Sequence, residues 1–201
     1  GTAMLNDIQF VNDTVGWTAG GGGLIYKTTD GGATWINVPC SYFPVTNALY
    51  FADASHGLLF NSNGHIVKTA NAGTNWTDIL TGSSQAVLGL SFPSADTGFI
   101  CGLNGQLYKT IDTGLTWTAL TSGTTKAMLG ISFINTSMGW IGGMDGEIRY
   151  TSDGGSAWVA ETSGTINNIR AVQAINEYNV FAVGNAGTIL KRTSTERICM
   201  V

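Results

Sequence analysis

The sequence predicts an all-β protein, a β-propeller of five four-stranded blades with 41 residues to each blade. Three observations carry this expectation. The string Thr28-Thr29-Asp30-Gly31-Gly32-Ala33-Thr34-Trp35 returns in degrading form at 69–76, 110–117 and 151–158, each copy 41 residues after the last. With 28 glycines, 3 prolines and only 11% charged residues, the composition fits short strands joined by tight turns better than helices rich in Glu, Lys and Ala. Each copy also contains four apolar runs of strand length. Such a unit cannot bury both of its faces alone, whereas a ring of like units can.

Copies beginning at Asn6, Asn47, Leu88, Leu129 and Arg170 align without a gap, so residues 1–201 read as one propeller domain. The first run of each copy is Ile8-Gln9-Phe10, Leu49-Tyr50-Phe51, Leu90-Ser91-Phe92, Ile131-Ser132-Phe133 and Val172-Gln173-Ala174, with apolar residues two apart on one strand face. The second run centres on the column Trp17, Leu58, Phe99, Trp140 and Phe181, preceded by Gly16, Gly57, Gly98, Gly139 and Val180. A column of glycine in all five copies (Gly23, Gly64, Gly105, Gly146, Gly187) precedes the third run. Asn63-Gly64 and Asn104-Gly105 read there as hairpin turns with positive φ. The fourth run carries the tryptophans. The fifth copy keeps neither Asp, Gly nor Trp in the opening string, where Arg192-Thr193-Ser194-Thr195-Glu196-Arg197 stands instead. Five blades either close a ring themselves or are consecutive blades of a larger propeller.

Net charge is −4, and the four arginines and five lysines are scattered, so no basic stripe of the kind that neutralises phosphates is visible and nucleic acid is not an expected partner. Cys40, Cys101 and Cys199 lie far apart, which argues against a zinc site and allows at most one disulfide. His56 and His65 have no spaced carboxylate or cysteine partner that suggests a metal or a triad, and neither metal nor cofactor is expected. No apolar run approaches the roughly 18 residues that span a bilayer. Asn, Thr, Ser and Gly supply polarity in place of charge, as in exported proteins; the expected location is secreted, periplasmic or cell-surface.

The string Thr28-x-Asp30-x-Gly32-x-Thr34-Trp35 resembles the Asp-box, or bacterial neuraminidase repeat, Ser/Thr-x-Asp-x-Gly-x-Thr-Trp, and Thr110-x-Asp112-x-Gly114-x-Thr116-Trp117 matches equally well. In the second copy Asn71 replaces the Asp and Asn75 the Thr while Gly73 and Trp76 are kept, and the fourth copy keeps Asp153, Gly155 and Trp158 and has Ala157 for the Thr. Together with Gly-x-Ile/Leu-Tyr-Lys-Thr, the copies look most like the propellers related to photosystem II stability and assembly factors and similar repeats in exported bacterial proteins. The resemblance implies that the motif closes the hairpin between the third and outermost strands of a blade, a structural role for Asp30, Asn71, Asp112 and Asp153. Those assembly factors have seven blades and meet partners through an arginine patch, from which five copies and dispersed arginines depart. Sialidases sharing the repeat need a Phe/Tyr-Arg-Ile-Pro stretch, which is missing from this chain.

A turn is needed in every blade and a catalytic site only once, so the recurrent motif directs the search for function to the unlike linkers. The first linker, Pro39-Cys40-Ser41-Tyr42-Phe43-Pro44, offers Tyr42 and Phe43 as an aromatic platform, with Gln85, Lys126, Asn167, Asn168 and Arg170 as polar neighbours on the same face. Asp145 and Glu147 stand nearest the expected channel mouth. The expected function is non-enzymatic binding of a protein or carbohydrate. The alternatives are a small glycosidase or glycosidase fragment using Asp145 and Glu147, since two carboxylates can flank a sugar bond, and an excised or engineered repeat scaffold without activity of its own.

Overall fold

The computed structural model describes residues 3–40, 42, 45–79, 85–194 and 197–200; for 193, 194 and 197–200 it describes the backbone. Five antiparallel four-stranded sheets follow one another along the chain. Sheet one is β1 (Leu5–Phe10), β2 (Gly16–Gly20), β3 (Ile25–Thr28) and β4 (Ile36–Asn37). Sheet two is β5 (Thr46–Phe51), β6 (Gly57–Asn61), β7 (Ile66–Thr69) and β8 (Thr77–Ile79). Sheet three is β9 (Val87–Ser91), β10 (Gly98–Gly102), β11 (Leu107–Thr110) and β12 (Thr118–Ala119). Sheet four is β13 (Met128–Phe133), β14 (Gly139–Gly143), β15 (Ile148–Thr151) and β16 (Val159–Glu161). Sheet five is β17 (Ile169–Asn176), β18 (Asn179–Gly184), β19 (Ile189–Ser194) and β20 (Arg197–Met200). Each is a meander in chain order. By its internal contacts the chain divides into two compact units, Gly1–Val87 and Leu88–Val201. No helix among the described residues is long and apolar enough to cross a membrane.

Within each unit the core lies between successive sheets. In the first unit Trp17 of β2 stacks on Phe51 of β5 at 4.1 Å and 7°, within a cluster that includes Ala19, Ile25, Leu49, Leu59 and Val67. In the second unit Phe99 of β10 stacks on Phe133 of β13 at 3.7 Å and 6°, and a further cluster joins Trp140, Ile148, Ile169, Val172, Val180 and Leu190. Aromatic rings carry the largest buried area per side chain, so these stacks set the spacing between sheets. The glycine before each second strand makes room for them. A Cβ at Gly57 would stand 2.3 Å from the Phe51 ring, and one at Gly139 2.5 Å from Phe133, because each glycine is the cross-strand partner of that phenylalanine. In sheet five the same pair is Ala174 opposite Val180, a small residue having replaced the large one where the glycine gained a side chain.

The recurring string closes the turn into the outer strand of the first four sheets. Thr28, Thr69, Thr110 and Thr151 are buried. The Thr28 hydroxyl accepts the Gly32 N–H at 2.9 Å and donates to Asp30 Oδ1 at 2.8 Å, and the same carboxylate accepts the Thr34 N–H at 2.9 Å and the Thr34 hydroxyl. Asp112 repeats the arrangement with Thr116, Asp153 keeps the backbone part by accepting the Ala157 N–H at 3.0 Å, and Asn71 fills the place because its Oδ1 accepts the Asn75 N–H at 2.9 Å. A side chain satisfying turn N–H groups is the Asx-type solution to a tight reversal.

Hydrogen bonds from the Thr34 side chain and N–H and from Thr28 hold Asp30 down to about 2. Burial pushes Asp112 up, but Thr116, Thr110 and Leu115 outweigh it and hold this carboxyl at about 2 as well. Both lie below the value of 3.8 for a free aspartate, so their contribution to stability is complete above about pH 4. It is lost as the pH falls towards 2. Acid unfolding followed by circular dichroism should therefore steepen over that window, and Asp30→Asn together with Asp112→Asn should flatten the slope. An unchanged slope in the double variant would refute the assignment.

Cys40 and Cys101 are unbridged thiols, and burial pushes Cys101 up to about 12, consistent with a core side chain rather than a nucleophile. The side chain of Cys199 lies outside the described residues. The histidines differ from expectation. His56 Nδ1 stands 2.9 Å from Asp53 and His65 Nδ1 3.2 Å from Asp78, so each turn histidine has one carboxylate partner.

Candidate functional site

The linkers following β12 and β16 are built alike. The Ser122 hydroxyl, buried, donates to the Gly105 carbonyl at 2.7 Å, and Ser163 donates to the Thr165 carbonyl at 3.1 Å. Gly123 and Gly164 follow at φ +76° and +73°, a conformation that glycine adopts without penalty. Each Ser-Gly-Thr bend frames an open cleft, one of ≈ 630 Å³ over Gly105 and Leu120 and one of ≈ 620 Å³ over Gly146 and Glu161. The scaffold is the same while the lining changes, with Lys126 in the first where Asn167 stands in the second.

Lys126 Nζ lies 3.3 Å from Glu147 Oε2 and 3.8 Å from Asp145 Oδ2, and Arg149 Nε donates to Glu147 Oε1 at 2.7 Å. Asp145 occupies a left-handed turn position at φ +55°, and its N–H donates to Asn168 Oδ1 at 3.1 Å. The Asn168 carbonyl accepts the Asn185 N–H at 2.9 Å, and Arg170 Nε donates to Asn185 Oδ1 at 2.8 Å. Arg170 reaches this edge because the register of β17 against β18 shifts between Ile169 and Ala171. A bulge re-aims the extra residue. The same shift falls between Leu5 and Asp7, and between Thr46 and Ala48, where Asn6 and Asn47 send their amides to the carbonyls of Thr46 and Val87.

Of the residues expected to bind, Lys126, Asp145, Glu147, Asn168 and Arg170 thus form one linked network in the second unit, and Asn167 borders it, donating to Thr188 Oγ1 at 2.9 Å. Tyr42, exposed, and Gln85, half-buried, belong to the first unit. Phe43 lies outside the described residues. Sequence reasoning missed Arg149. Its signal was the spacing Glu147-x-Arg149 in extended chain leading into a strand, which puts both side chains on one face.

It also missed the charged pair beneath the second cleft. Glu161 and Arg192, with side chains 7% and 6% exposed, meet at 3.0 Å between Glu161 Oε1 and Arg192 Nη2. The guanidinium lies 5.3 Å from the ring centres of both Trp140 and Tyr150 and donates through Nη1 to the Glu177 carbonyl. Burial raises the Glu161 carboxyl, with Arg192 pulling against it. Arg192 stands where the other four sheets have their buried threonine, and Glu161 where sheets one to three have Val38, Ile79 and Leu120. Among the described residues, no three His, Cys, Asp or Glu side chains are grouped to hold a metal ion.

No known family profile matches this sequence, and no curated protein does. Solved structures match its fold along nearly the whole chain. YCF48 bound to a D1 peptide superposes at a TM-score of 0.78 with 18% identity over 98% of this chain and 66% of its own. The WD40 repeats of RRP9 give 0.81 with 14% identity over 98% of this chain and 63% of theirs. The fold is a β-propeller. An ancestral GH74 enzyme is also similar, at 0.74 and 13% identity, with 31% of its length covered. This propeller chain therefore spans just under two thirds of YCF48 and of the RRP9 repeats, and each of its sheets is a blade.

Proposed function

We propose that this propeller is a non-enzymatic binding module that takes an extended protein segment along the linker edge of its third, fourth and fifth blades. The observation that carries this reading is the pair of equivalent clefts flanking the Lys126–Glu147–Arg149 network. Two like-built niches one blade apart suit a chain that repeats its backbone while varying its side chains. A charge network already held in place lowers the ordering cost of binding. That the similar YCF48 holds a peptide supports a peptide over a sugar as the ligand.

The hydrogen bonds of Asp30, Asn71, Asp112 and Asp153 support reading the recurring turn as an Asp-box, a blade fastening rather than a site. The sparse charge supports export from a bacterial cell. A glycosidase remains the second reading, because one lysine contacts both Asp145 and Glu147. Against it, both Glu147 oxygens face cations, and Lys126 sits where a sugar oxygen and a water would have to enter.

Peptides selected from a random displayed library should bind this chain and lose at least about tenfold in affinity to Lys126→Glu and Arg170→Glu, with the far-ultraviolet circular dichroism of the fold unchanged. Selected peptides that bind both variants as well as the parent would exclude this edge. Glycan hydrolysis abolished by Asp145→Asn or Glu147→Gln would replace binding with catalysis.

A further inference from the structure

The two clefts share a frame and differ in charge. Among the described residues, Lys126 lines the first and no carboxylate does, while Asp145, Glu147 and Glu161 line the second and no cation does. The ridge between them sorts its charges the same way. Arg149 turns towards the first cleft, where a Cβ on Gly123 would stand 2.8 Å from its Nη1. Both oxygens of Glu147 are taken up by Lys126 and Arg149, so Asp145 and Glu161 are the carboxylates left to the second cleft.

The side chain of Asp145 is 68% exposed; its carboxylate accepts no hydrogen bond from a described residue, and its ion pair with Lys126 is long, at 3.8 Å. Glu161 closes the floor, its side chain 7% exposed, with Oε1 held by Arg192 and Oε2 accepting no hydrogen bond. The neighbouring Trp140 indole N–H completes none to it. A buried acceptor without a donor is costly, and a donor entering from the cleft relieves that cost. The rim supplies an apolar part. Ile166 is 85% exposed there, in the column where the first cleft has Thr125. Long basic side chains lay their methylene stems along such surface and keep the charged head in a polar setting.

We propose, resting on the reading that this edge holds an extended protein segment, that the segment carries two side chains of opposite charge. A lysine or arginine enters the second cleft, its stem along Ile166 and its head at the Asp145 carboxylate above Glu161. An aspartate or glutamate enters the first cleft and meets Lys126. Each cleft repels the charge that the other takes, so two like-built niches fix the direction and register of the segment. Asp145, Ile166 and Lys126 are the residues that choose the ligand.

Peptides selected on the parent chain from a random displayed library test this once resynthesised with acetylated N-termini and amidated C-termini, so that all their charge is on side chains. Affinities are read by titration calorimetry at about 0.15 M salt, where distant charges are screened. The peptides should share one basic and one acidic residue in a fixed order. Changing the basic residue to glutamine should weaken binding to the parent about tenfold and binding to Asp145→Asn hardly at all. Changing the acidic residue to glutamine should do the same with Lys126→Gln in place of Asp145→Asn. Ile166→Ser should weaken the parent peptide and spare the peptide that has lost its basic residue. Circular dichroism shows whether the variants fold; Asp145→Ala, the residue that blade five carries as Ala186 at φ +53°, stands in for Asp145→Asn if the latter does not. Peptides that lack either charge, or whose charged residues cost as much on the variants as on the parent, would overturn the inference, and loss of affinity to Lys126→Glu would still leave the edge standing. No selected peptide, or peptides indifferent to both Lys126→Glu and Arg170→Glu, would remove the edge and this inference with it.

Discussion

Replacing Arg192 by alanine is expected to destabilise the second unit by about 3–5 kcal/mol, because it leaves the Glu161 carboxylate buried without its cation. It also strips the covering group from Trp140 and Tyr150. The loss should depend on pH in a direction opposite to that of Asp30 and Asp112. Burial raises Glu161 in the folded chain above the 4.5 of a free glutamate. A raised folded value means that its contribution is most favourable below about pH 4.5 and is lost as the pH rises through the folded value. Without Arg192 the carboxyl rises further, so the variant should suffer most at neutral pH and recover towards pH 4. Glu161→Leu combined with Arg192→Thr restores what the other blades carry at these positions, and it should be within about 1–2 kcal/mol of the parent although each single change is costly. Urea melts at pH 7 and pH 4 read all of this. Single variants that lose less than about 1 kcal/mol would show that the pair is not what joins blade five to blade four.

Gly146→Ala should be among the most damaging small substitutions in the chain, and Gly187→Ala, its equivalent one blade later, should be mild. Both glycines have φ +71°, so alanine costs either site about 1–2 kcal/mol in backbone strain. Only at Gly146 does the added methyl collide: it would stand 1.9 Å from the Thr165 carbonyl oxygen and 2.8 Å from Ser163 Oγ, whereas at Gly187 nothing lies within 4 Å. Moving the Thr165 carbonyl means moving the Ser163-Gly164-Thr165 bend, which adds roughly 1–3 kcal/mol and reshapes the second cleft. Gly105, 1.9 Å from the Thr124 carbonyl, should behave like Gly146. Thermal melts of the three alanine variants decide the matter. Equal losses at all three positions would mean that φ alone governs the column.

The architecture could be read from the sequence because every blade must solve the same problems at the same places. A buried threonine, an acceptor two residues on, and a small residue opposite a large ring recur at one interval. The candidate site was readable only in part. Lys126, Asp145, Glu147, Asn168 and Arg170 come together through linker turns and a bulged strand, and bulges have no residue signature of their own. Tyr42 drew attention because its linker is unlike the others, a difference that carries no information about position. The Glu161–Arg192 pair was hidden for another reason. Each residue is a departure from its own column in a different copy, and only the opposite charges of two adjacent departures tie them together.

The six tryptophans all precede residue 159, so the fifth blade contains no intrinsic fluorophore of that kind. Its unfolding would leave most of the emission untouched. Trp140 is the exception, since the blade-four ring is capped by a guanidinium belonging to blade five. Its emission is therefore an optical gauge for a blade that is otherwise dark, and with the other five tryptophans replaced by phenylalanine the departure of blade five from blade four could be watched as a single colour change.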